Sequence, residues 1–78
     1  MAIKFVGIDP ENPGGNCPAV FLDEETGDFL FEGTTVTDPV VLARVNERSP
    51  LQPHESVVRL PARMREIILE ACRERAVV

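Results

Sequence analysis

Ala19-Val20-Phe21-Leu22-Asp23-Glu24-Glu25-Thr26-Gly27-Asp28-Phe29-Leu30-Phe31-Glu32-Gly33-Thr34-Thr35-Val36 is the stretch that decides the fold. Two apolar runs rich in β-formers, 19–22 and 29–36, flank a polar tip. Gly27 suits the positive φ that closes such a tip, so the spacing predicts a central β-hairpin over about 19–36. Alternation puts Phe29 and Phe31 on one face, with Leu30, Glu32 and Thr34 on the other. Gly33 inside the second run signals a bulge or a close backbone approach.

Upstream, Ile3-Lys4-Phe5-Val6-Gly7-Ile8 reads as a short strand, with Ile3, Phe5 and Gly7 expected on one face. Residues 9–18 hold three Pro, two Gly, two Asn and one Asp, which is loop composition. Downstream, Asp38 is placed to cap a helix and Pro39 suits its first position, so a short helix is expected at about 39–47. Val41, Leu42 and Val45 would face inward. A loop at 49–55 leads to a further strand at 56–60. Pro61 then opens a C-terminal helix at about 61–74, whose apolar stripe runs Leu60, Met64, Ile67, Ile68 and Cys72. Arg63, Arg65, Glu66, Glu70 and Arg73 mark its polar side. These elements predict an α+β fold. A small antiparallel sheet of three to four strands carries the C-terminal helix on one face.

The chain has 78 residues, enough for a single domain spanning 1–78. Folding at this mass buries about 62% of the extended chain's surface, near the lower end for an unassisted fold. Little material is left for a deep catalytic cleft. The formal charge is −5 and unevenly spread. Residues 1–38 hold one cation, Lys4, against eight acids, whereas residues 39–78 hold seven Arg against five Glu. That balance argues against direct nucleic-acid binding, which needs a basic patch. No apolar run approaches the ~20 residues of a membrane span. The Met1-Ala2-Ile3-Lys4 start has no signal-peptide h-region, so the cytoplasm is expected, with Cys17 and Cys72 as free thiols.

The chemistry-bearing residues form no catalytic constellation. His54, Cys17 and Cys72 are too dispersed for a zinc site. The Asp23–Asp28 tip has its glycine one place early for an EF-hand and no bidentate Glu after it. Asn12-Pro13-Gly14-Gly15-Asn16 lacks the Lys and Ser/Thr of a phosphate loop. No metal, cofactor or catalytic residue is therefore assigned. Cys17 with His54 is the one nucleophile–base combination available, and it supports an alternative reading as a small cysteine-dependent enzyme or toxin-like effector.

The leading expectation is a non-enzymatic protein–protein interaction module. One helix covers one face of a sheet, yet the hairpin supplies Phe21, Leu22, Phe29, Leu30 and Phe31. Apolar groups on the other face need residues 39–47 or a partner to cover them. Arg59, Arg63 and Arg65 flank the strand-to-helix junction and form the densest positive stretch. Phe21, Leu30, Arg59, Arg63 and Arg65 are thus the candidate interface. A homodimer formed through the sheet, with a structural role, is the third reading.

Cys17-Pro18-Ala19-Val20-Phe21, Gly27-Asp28-Phe29-Leu30-Phe31-Glu32-Gly33, Val36-Thr37-Asp38-Pro39 and Glu55-Ser56-Val57-Val58-Arg59-Leu60-Pro61-Ala62-Arg63-Met64 resemble small actinobacterial, chiefly Streptomyces, proteins. Genes of that group often lie beside helix-turn-helix regulators. The turn Gly14-Gly15-Asn16-Cys17 before two strands is also similar to the actinobacterial domain of unknown function 397. That domain continues its second strand into Arg-Asp-Ser, where this chain has Thr35-Val36-Thr37-Asp38-Pro39. The first group commonly carries Trp after the strand glycine, where Thr34 stands here. The resemblance implies an actinobacterial cytoplasm and a role in regulation, with a helix-turn-helix regulator as one candidate partner. It implies no reaction.

Overall fold

The computed structural model describes residues 2–12 and 18–74. It has an α+β fold. Strands β1 (Ile3–Ile8), β2 (Ala19–Asp23) and β3 (Phe29–Glu32) form an antiparallel sheet in the order β1-β2-β3. Strands β4 (Thr34–Thr35) and β5 (Val58–Arg59) form a second, two-stranded ribbon. Helix α1 spans Pro39–Arg48, and helix α2 spans Arg65–Arg73 after a 3-10 turn at Ala62–Met64.

The central hairpin is present, with Gly27 at φ 84° in its tip. Asp23 Oδ1 accepts the Glu25 N–H and Thr26 Oγ1 accepts the Asp28 N–H, so the polar tip residues satisfy their own turn. The expected second strand of the hairpin, 29–36, is instead split at Gly33 between two sheets. A Cβ at Gly33 would stand 2.6 Å from the Arg59 carbonyl oxygen. The glycine therefore marks a close backbone approach, where β5 crosses behind the kink. The strand expected at 56–60 shrinks to Val58–Arg59, because only Thr34 and Thr35 remain to pair with it.

The core lies on one face of the sheet. Val20 and Leu22 of β2 pack against Met64 and Ala71, with Val6, Leu60, Ile67 and Ile68 around them. Two expectations about this face are corrected. Gly7 does not share a face with Ile3 and Phe5. The β1–β2 register slips between Phe5 and Gly7, so Val6 is a bulge and Gly7 pairs with Val20 on the helix side. Its missing side chain makes room for Ile67, whose Cγ2 would be 2.9 Å from a Cβ there. Cys72 is exposed, and Ala71 holds the core position at the end of the stripe. Seven residues bring a helix back to within about 20° of Met64, whereas eight overshoot by about 80°. Cys17 and its turn lie outside the described residues.

Asp38 caps α1 by accepting the Val40 N–H at 2.9 Å, with Pro39 in the first turn as expected. The helix has no fully buried residue, and Val41, Leu42 and Val45 are half-buried. It does not cover the sheet's second face. Its flanks are joined by the β4–β5 ribbon, which the Val36 N–H extends by donating to the Val57 carbonyl at 2.8 Å.

Candidate interaction surface

The face of the sheet opposite α2 carries Ile3, Phe5, Phe21 and Leu30. Phe5 pairs with Phe21, and Phe21 with Leu30, across neighbouring strands. The Phe5 and Phe21 rings meet edge to face with centroids 5.6 Å apart. Phe5 is 55% exposed and Leu30 41%. Two of the candidate residues, Phe21 and Leu30, thus lie side by side on this open face. Phe5 belongs with them and was not among the sequence's candidates, because its place beside Phe21 depends on the pairing of β1 with β2.

The helix side of the sheet is only partly covered. Helix α2 packs on β1 and β2, but β3 extends past it. Phe29 and Phe31 therefore stand half-exposed beside the helix, at 50% and 42%, with their rings 6.2 Å apart. β3 is also an edge strand. The hydrogen bonds around the sheet show which of its backbone groups are free. The Asp9 N–H donates to the Pro18 carbonyl and the Glu24 N–H to the Ala2 carbonyl, so even positions of β2 face β1. On the other side the Asp23 N–H donates to the Asp28 carbonyl. Antiparallel ladders alternate, so Leu30 and Glu32 bond to β2 while Phe29 and Phe31 turn their N–H and C=O outward.

The three arginines do not form one patch. Arg63 grips Asp9 with both ends of its fork, Nε to Oδ1 and Nη2 to Oδ2, each at 2.6 Å. Asp9 is 1% exposed and sits just past the end of β1. Its Oδ1 also accepts the Glu11 N–H at 3.0 Å. Arg63 holds the Asp9 carboxyl below its ordinary value of 3.8, the Glu11 amide helps, and burial opposes. The same bond raises Arg63. This bidentate pair fastens the β1 end to the turn that starts α2, and Arg63 is a strut rather than a free cation.

Arg59 shares a cleft of about 480 Å³ with Asp9, Pro18, Thr34, Pro61 and Arg63. Arg65 borders an adjoining apolar cleft of about 270 Å³, which shares Leu60, Pro61 and Ala62 with the first. Among the described residues no group of three or more His, Cys, Asp or Glu side chains could hold a metal. Nor is any described helix long and apolar enough to cross a membrane. No family model, curated protein or solved structure matches the chain.

Proposed function

We propose that this protein is a non-catalytic protein–protein interaction module that acts in the cytoplasm and docks its partner on the open sheet. The observation that carries the reading is the contiguous Phe5, Phe21 and Leu30 surface, which neither helix covers. Large apolar groups held side by side on a flat sheet favour contact with another protein. A helix-turn-helix regulator is the partner class to try first, because the sequence resembles actinobacterial proteins encoded beside such genes. The net charge of −5 supports an acidic module that meets a basic DNA-binding protein and steers its approach.

The test is an affinity capture from an actinobacterial lysate with three baits: wild type, Phe5→Ser/Leu30→Ser, and Glu47→Gln on exposed α1. Circular dichroism first checks that all three fold. The reading expects one partner enriched by wild type and Glu47→Gln and lost with the double variant. Equal capture by all three baits would rule out the open face as the docking surface.

A further inference from the structure

We infer that the outer edge of β3 accepts an extended strand from a partner protein, and that this strand carries basic residues on either side of an apolar centre. The inference rests on the interaction-module reading and names the shape and charge of what the module binds. Three observations carry it. Phe29 and Phe31 aim unpaired N–H and C=O groups away from β2, and no backbone bond from another described residue meets them. Such groups are a template for strand addition. The opposite edge is blunted, because β1 carries the Val6 bulge, whereas β3 runs unbulged up to Gly33. Finally, Phe29, Leu30 and Phe31 are each between 41% and 50% exposed, so an added strand finds apolar contacts above and below the sheet plane.

Charge decides between a foreign strand and a second copy. Two β3 edges pairing antiparallel about Leu30 would hydrogen-bond Phe29 to the copy's Phe31. They would also set Asp28 directly opposite the copy's Glu32, twice, in the close non-hydrogen-bonded positions. Pairing about Phe31 instead would place Leu30 against the copy's Glu32 carboxylate. Neither register suits a strand whose ends are both acidic. A partner strand of pattern basic-apolar-apolar-apolar-basic suits both ends, placing cations opposite Asp28 and Glu32 and apolar side chains opposite Phe29, Leu30 and Phe31.

The probes are the synthetic peptide Ser-Lys-Val-Val-Val-Lys-Ser and its counterpart with Glu for Lys, each titrated into ¹⁵N-labelled protein. The inference expects the Lys peptide to bind at least about tenfold more tightly than the Glu peptide and to weaken with salt. It also expects slowed amide exchange at Phe29 and Phe31 but not at Leu30, whose N–H is already bonded. Phe31→Pro removes an outward N–H and leaves the β2 ladder intact. It should weaken the Lys peptide by about tenfold more than Phe31→Ser, which keeps the N–H.

Binding that shifts Phe5 and Phe21 while leaving the Phe29 and Phe31 exchange rates unchanged overturns the edge inference and leaves the module reading standing. Equal binding of the two peptides, or none of either, also overturns it. The lysate capture then decides separately whether the protein is an interaction module. A dimer in sedimentation equilibrium that Phe31→Pro dissociates would give the edge to a second copy and overturn the proposal of a foreign strand.

Discussion

Replacing Gly33 with alanine is expected to loosen the junction between the two sheets. The new Cβ would stand 2.6 Å from the Arg59 carbonyl oxygen and 3.0 Å from Leu60 Cδ2. The first contact is with backbone, so no rotamer change relieves it. Reaching an ordinary contact of about 3.4 Å requires β5 to retreat by about 0.8 Å. The same retreat would stretch the 2.8 Å Val36–Val57 bond to about 3.6 Å, beyond hydrogen-bonding range. It would also pull Leu60 from its place beside the core.

Overpacking of this kind costs about 1–3 kcal/mol. An alanine also stiffens the unfolded chain, which returns about 0.4–1 kcal/mol. The net loss is therefore at most about 2.6 kcal/mol, which lowers Tm by up to roughly 20 °C in a domain of this size. Urea denaturation followed by circular dichroism reads the loss. Amide exchange should show its origin at Thr34, Val36 and Arg59, whose N–H groups the ribbon bonds, with Val20 and Leu22 still the slowest. A Gly33→Ala variant more stable than wild type, or one with unchanged exchange at Val36, would refute the close approach as the reason for this glycine.

Met64→Ala removes a fully buried side chain at the centre of the core, and a loss of about 2–5 kcal/mol is expected by urea denaturation. Asp9 titrates below its ordinary value when folded, so its contribution is complete above about pH 4 and is lost as the pH falls through the folded value. The urea midpoint of wild type should therefore fall more steeply below about pH 4 than that of Asp9→Asn, and parallel curves would contradict the pairing. Cys72 is exposed, so iodoacetamide should alkylate it in the native state at the rate of a small free thiol. Mass spectrometry that shows protection of Cys72 until denaturant is added would place it in the core after all.

Local features of this fold were legible in the sequence and long-range ones were not. The hairpin announces itself through two β-forming runs and a Gly27 tip, and α1 through Asp38 and Pro39, because turns and caps act within a few residues. Alternation separated Leu30 from Phe29 and Phe31, but that Phe21 shares Leu30's face follows only from the register between β2 and β3. The bulge at Val6 carries no local signal either, and the room that Gly7 leaves is taken by Ile67 from the distant α2. Phe5 was misplaced relative to Gly7 for the same reason. The Asp9–Arg63 pair spans 54 positions. One acid among eight in the first half carries no mark that an arginine will reach it. The arginine cluster was visible as composition, but that Arg63 is tied to Asp9 while Arg59 and Arg65 border adjoining clefts is set by the course of the chain around Pro61. The free edge of β3 emerges only once the strand order is known.

The Val36–Val57 bond, at the end of the β4–β5 ribbon, has an architectural consequence. Between those two valines the chain leaves the sheet, builds α1, and returns to within one hydrogen bond of its departure. Nothing on that excursion is fully buried in helix α1, so the core borrows little from it. The segment behaves as a cassette on a socket whose two contacts already lie together. Loop length is cheap to change when the ends are held in place. A longer helix, a different recognition element or a reporter spliced between Val36 and Val57 should leave the β1-β2-β3 sheet and α2 to fold as they do now. This is where the protein has most freedom to acquire a new specificity without rebuilding its core.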